Sequence, residues 1–178
     1  MKKNLAAFTL FICTMAFTAC NTATPEDYFS RAVLNSNMMV GFAGNGFESQ
    51  LKQPSVKMID GDVNKTAPMK RKEVVEDKIN FFEEALGKVK NLKETDDAKA
   101  ILQASIALHE FVLPVYKNEY MQLAKLYDDG APAVQIESFS KSIHDKYYNR
   151  FEQGYNQLIA AGKLYAGKHN IKVHWADN

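Results

Sequence analysis

The sequence predicts an all-α fold: an up-down-up-down four-helix bundle behind a cleaved lipoprotein signal peptide. Three observations carry that expectation. Apolar residues recur at alternating three- and four-residue steps over four long stretches, the signature of one buried helical face. Only five prolines and nine glycines occur in 178 residues, and several of them fall between those stretches. The chain opens on Lys2-Lys3, an apolar run and Cys20, the layout of a secretory signal.

The opening segment divides the chain into 1–19 as signal peptide, 20–24 as a lipidated tether and 25–178 as the bundle domain. Leu5 to Phe17 spans 13 residues, short of the ~17–25 that a membrane-spanning helix needs. Phe17-Thr18-Ala19-Cys20 resembles the lipobox of bacterial lipoproteins, with phenylalanine where leucine is commoner. That resemblance implies cleavage before Cys20, a diacylglycerol thioether on its sulfur and an acyl chain on its amine. Single acyl chains hold a protein to a bilayer only marginally, whereas two or three make a lasting anchor. Asn21 after the cysteine, in place of an aspartate that retains lipoproteins in the inner membrane of enteric bacteria, points to the outer membrane.

Removing the first 19 of 178 residues leaves 159, enough for one domain with a sizeable core. Loss of Lys2 and Lys3 lowers the basic residues from 22 to 20, against 21 acidic ones. That balance argues against a nucleic-acid binder, which shows a basic excess or stripe. Cys13 leaves with the signal, and lipid occupies the sulfur of Cys20, so no disulfide is expected.

Thr24-Pro25-Glu26-Asp27 is a helix start: a capping threonine, proline at the first position and acids in the first turn. The first helix is expected from Pro25 to Gln53 on the stripe Phe29, Val33, Ser36, Val40, Ala43 and Phe47, with a bend or break at Gly44-Asn45-Gly46. Lys52 to Ala67, with Pro54, Asp60-Gly61 and Asn64, reads as a connecting loop. The second helix is expected from Pro68 to Lys93 on Val75, Ile79, Phe82, Leu86 and Val89. The third, capped at Thr95 or Asp96, runs to Asp128 with Pro114 kinking its interior. Asp129-Gly130-Ala131-Pro132 stops it. The fourth runs from Ala133 to Lys168 on Ile136, Ser140, Ile143, Tyr147, Gly154, Leu158 and Tyr165. Asn170 to Asn178 leaves the helical pattern.

Phe111-Val112-Leu113-Pro114-Val115-Tyr116-Lys117-Asn118-Glu119-Tyr120, Tyr165-Ala166-Gly167-Lys168-His169-Asn170-Ile171 and the lipobox together carry a family resemblance. The chain resembles a family of small bacterial surface lipoproteins named after a leptospiral surface protein and common in Bacteroidetes. The resemblance spans about two thirds of the chain and implies a surface or outer-membrane lipoprotein. It supplies no catalytic residues.

Enzyme and metal motifs are absent from the text. Asp60-Gly61-Asp62-Val63-Asn64-Lys65-Thr66 begins like a calcium loop, but Lys65 stands where glycine is required and Arg71 where the closing glutamate belongs. His109-Glu110 lacks the second histidine of a zinc helix, because Leu113 occupies that place. No glutamate has a histidine three residues on, as a di-iron bundle requires. No cofactor is expected.

His109 stands out because it lies in an apolar stripe. Reflection through the turns places it beside Gly154, near Ile79 and near Gly41, a mid-bundle layer of small neighbours. Met38 or Met39 from the first helix would complete a haem ligand pair there. His144 reflects onto Asn118, about 13 Å from His109 along the axis, so the two histidines share no ligand. Tyr116, Tyr120, Tyr127, Tyr147, Tyr148 and Tyr155 gather toward the third–fourth hairpin. Of these, Tyr116, Tyr120, Tyr147 and Tyr148 are candidate interface residues.

The text therefore points to a non-enzymatic binding module, held on the membrane by its N-terminal lipid, with an unidentified protein or small-molecule partner. The alternative is a small-ligand, metal or haem carrier using His109, Gly154, Gly41 and Met39.

Overall fold

The computed structural model describes residues 23–175. Cys20, the signal segment and the last three residues lie outside that range. The protein is mostly helical, with one two-stranded sheet.

Helix α1 (Pro25–Ala32) begins as the sequence requires. Thr24 Oγ1 accepts from the Asp27 N–H and the Asp27 carboxylate accepts from the Thr24 N–H, a reciprocal cap. It does not continue to Gln53. After Val33 the chain takes a 3-10 turn over Leu34–Met39, crosses Gly41 and Ala43 with positive φ, and restarts as α2 (Asn45–Lys52). The expected first helix is thus three pieces. The break falls at Val40–Gly44 because Gly41 and Gly46 press together: a Cβ on Gly46 would sit 2.8 Å from the Gly41 Cα.

Lys52–Ala67 is not a loop. Strands β1 (Ser55–Ile59) and β2 (Asp62–Met69) form an antiparallel hairpin, with Val56 opposite Pro68 and Ile59 opposite Asp62. Asp60 and Gly61, both at positive φ, make the tight turn. Pro68 is therefore a strand residue rather than a helix start, tolerated because both strands of a two-stranded sheet are edges.

Helix α3 (Arg71–Lys90) has no helix-start residue of its own at the cap. Asp128 supplies one from elsewhere in the chain: its carboxylate accepts from the Arg71 and Lys72 N–H groups at 2.9 and 3.0 Å. Thr95 Oγ1 caps a turn leading into α4 (Lys99–Val115). Pro114 is followed by a π turn over Tyr116–Tyr120, and α5 (Met121–Asp128) carries the rod onward. Helix α6 (Ala133–Lys168) is unbroken as expected, and Asn170 at positive φ ends it. Ion pairs Lys90–Glu110 and Lys117–Glu83 set α3 antiparallel to α4 and the π turn; Lys146–Glu119 links α6 to the same rod.

The core is strongly aromatic. Phe42 meets Phe111, Tyr116, Tyr120 and Phe151, while Phe47 packs edge-on to Tyr116 and Tyr120. Such pairs contribute about 0.5–1.5 kcal/mol beyond the area they bury. They pin the irregular Val40–Phe47 segment to the α4–α5 rod. Trp175, beyond α6, closes over α1 edge-on to Phe29, with ring centroids 5.9 Å apart.

Candidate functional site

The residues singled out from the sequence do not come together as one site. His109 has no solvent exposure. Its Nδ1–H donates to the Ser105 carbonyl at 2.8 Å, one turn back, which leaves Nε2 as a lone-pair acceptor. That Nε2 is buried without a hydrogen-bond partner among the described residues. Burial pulls its pKa below the ordinary histidine value, and the Ser105 bond only partly opposes the shift.

Phe82 flanks the ring at 6.2 Å, one turn from the Ile79 that reflection picks out. Gly154 lies against Leu108, the residue before His109, where an added Cβ would be 3.3 Å from Leu108 Cδ1. Gly41 is committed to Gly46, and Met39 is a core residue. Among the described residues, no group of three or more His, Cys, Asp or Glu is placed to hold a metal ion.

The four tyrosines separate, which corrects their expected shared role. Tyr116 and Tyr120 are core residues, stacked with ring centroids 4.9 Å apart, and burial raises both pKa values. The π turn explains this: with i→i+5 bonding, a residue and the fourth after it come nearly into line, so both rings turn inward. Tyr147 and Tyr148 are half-buried on α6. The Tyr147 hydroxyl donates to Glu119, and the Tyr148 hydroxyl to Glu152 at 2.7 Å.

Tyr148 packs behind a polar cleft, a cavity of 480 Å³ between the start of α2 and the face of α6. Its hub is Ala43, held at φ 52°. The Ala43 N–H donates to the buried Tyr120 hydroxyl at 2.8 Å, and its carbonyl accepts from His144 Nδ1 at 2.8 Å. Since a carbonyl only accepts, His144 carries its proton on Nδ1 and presents Nε2 as an acceptor. The imidazole stacks on Tyr148, with centroids 4.7 Å apart and planes 24° apart.

Glu48 lines the same cleft. Burial pushes its carboxyl up, but hydrogen bonds from Lys52 and the Ser140 hydroxyl outweigh that and hold it below the usual carboxylate value. Helix α2 has no side-chain cap at Gly44, which lines the cleft with Asn45. Lys141 pairs with Asp145 at 2.5 Å along the rim.

The cleft thus brings together the Glu48 carboxylate, the Tyr120 hydroxyl and the His144 imidazole, with Ser140 one turn from His144 on α6.

Sequence reasoning placed His144 near Asn118 and passed over Ala43, Glu48 and Ser140. Only the break of the first helix brings α2 against α6, and no local pattern announces that contact. In comparisons with known proteins, no family model, no curated protein and no solved structure matches this chain.

Proposed function

We propose that this protein is a lipoprotein of the bacterial cell envelope, anchored through Cys20 and acting as a non-enzymatic binding module whose ligand contacts lie in the Ala43–His144 cleft. The observation that carries the anchor is Phe17-Thr18-Ala19-Cys20 behind Lys2-Lys3 and an apolar run. A reciprocal helix cap at Thr24, only four residues after Cys20, supports it. At ~3.3–3.6 Å per residue, four residues reach at most about 14 Å. The body therefore sits close to the bilayer, which we take to be the outer membrane. We read the architecture as an up-down-up-down bundle whose first leg is the broken stretch from α1 to α2; antiparallel ion pairs between the later rods support that order.

The binding role rests on the cleft, where the Glu48 carboxylate, the Tyr120 hydroxyl and the His144 imidazole converge. Site-specific photo-crosslinking in native membranes tests it. A photo-reactive residue at Asn45, exposed on the cleft rim, is expected to give a discrete adduct that the same group at Ala160, far along α6, does not give. Identical adducts from both positions, or none from Asn45, overturn the assignment of the cleft.

A further inference from the structure

A second cavity, of 360 Å³, lies between the β hairpin and α3, on different residues from the cleft. Five of its lining residues are apolar: Met38 from the 3-10 turn, Val56 and Met69 from the two strands, Val74 and Phe81 from α3; Gln50, Ser55, Asp77 and Lys78 complete it. Val56 is 64% exposed and Met38 47%, so the described residues leave this apolar surface uncovered.

At the bottom stands Lys78, half-buried. The other lysines around it are matched, Lys57 to Glu73 and Lys72 to Glu76, but Lys78 has no ion-pair partner among the described residues. Its ammonium reaches only the Met38 carbonyl at 3.4 Å and the Phe47 and Phe82 rings at 6.0 Å. A carbonyl at the edge of hydrogen-bond range and two rings at the limit of cation–π attraction leave most of its charge uncompensated. Burial is accordingly the sole cause acting on its pKa, and it pulls the value down.

We propose that this groove binds a single-chain fatty carboxylate, with the carboxylate on Lys78 Nζ and the alkyl tail against Met38, Val56, Met69, Val74 and Phe81. One unmatched cation calls for one negative charge, and the Asp77 carboxylate, which repels any anion, opposes a doubly charged phosphate head about twice as strongly as a single carboxylate. The volume lies at the small end of the ~300–1,000 Å³ of ligand sites, which suits one chain rather than a two-chain phospholipid. The carboxylate supplies what Lys78 lacks, and the tail covers apolar surface that is otherwise wet.

The full chain in lipid nanodiscs, titrated with a dodecanoate bearing a diazirine near its tail end, tests this by mapping the adducts on peptides. Saturable labelling of residues 54–69 and 74–81 is expected. It should fall at least tenfold in Lys78→Met, which keeps the aliphatic stem, and persist in Lys78→Arg. The methyl ester of the probe should label at least tenfold less than the acid. Labelling that Lys78→Met leaves unchanged, equal labelling by the ester, or adducts confined to other segments would overturn the proposal.

Discussion

His109 is the residue whose chemistry most exposes the core to acid. Its Nδ1–H is satisfied by Ser105, and among the described residues nothing accepts from the N–H that a second proton on Nε2 would create. The folded protein therefore holds the ring neutral below the pH at which an unfolded chain protonates it near 6.5. The unfolded state then binds more protons, so stability is complete above about pH 7 and declines as pH falls through 6.5 toward the lower folded value. The slope reaches at most about 1.4 kcal/mol per pH unit. Urea midpoints between pH 7.5 and 5 should show this decline, and a His109→Leu variant should flatten it. A second residue-scale prediction concerns Gly46, whose Cβ would strike the Gly41 backbone rather than a yielding side chain. Gly46→Ala is expected to cost about 1–3 kcal/mol, read as a lowered denaturation midpoint, whereas Gly87→Ala, with open space around it, should not.

At the scale of elements, α3 depends on a cap donated by the end of α5. Asp128→Ala removes both acceptors from the Arg71 and Lys72 N–H groups. A loss of about 0.5–2 kcal/mol is expected, with faster amide exchange confined to the first turn of α3. Helices with their own punctuation were legible in the sequence: Thr24-Pro25 opens α1, Asp129-Gly130-Ala131-Pro132 separates α5 from α6, and α6 keeps its apolar stripe throughout. The first expected helix was not, because the 3-10 turn and α2 preserve nearly the same apolar spacing. The stripe reports which residues are buried, Val40 at the break excepted, and not whether the backbone between them is continuous. Within 52–67 the Asp60-Gly61 turn marked a hairpin, but the strands carry many polar residues and little buried surface, so composition alone favoured a loop. Helix α3 shows the opposite case, an apolar stripe whose start is marked locally only by Glu73 accepting from the Lys70 N–H, the rest of its cap coming from Asp128.

For the whole molecule, the proposed anchor would fix an orientation. The Tyr28 hydroxyl bonds the Lys93 carbonyl, Lys168 pairs with Asp97, and Trp175 covers Phe29. These contacts gather the start of α1, the α3–α4 joint and the end of α6 at one end, the one that a lipid on Cys20 would hold next to the bilayer. Helix α3 spans about 30 Å at 1.5 Å per residue, so the hairpin at its start stands at the opposite end. The candidate sites were illegible at this scale. The cleft is made where α2 meets α6, far apart in sequence, and the groove where Met38 and a hairpin that composition hides meet α3. The account's central claim is covalent, and the mass of the mature N-terminal peptide tests it most directly. Protein extracted from the native membrane should yield a peptide beginning at Cys20 and carrying a diacylglycerol and an amide-linked acyl chain. An unmodified Cys20, inside a longer chain or behind a different cleavage point, would contradict it.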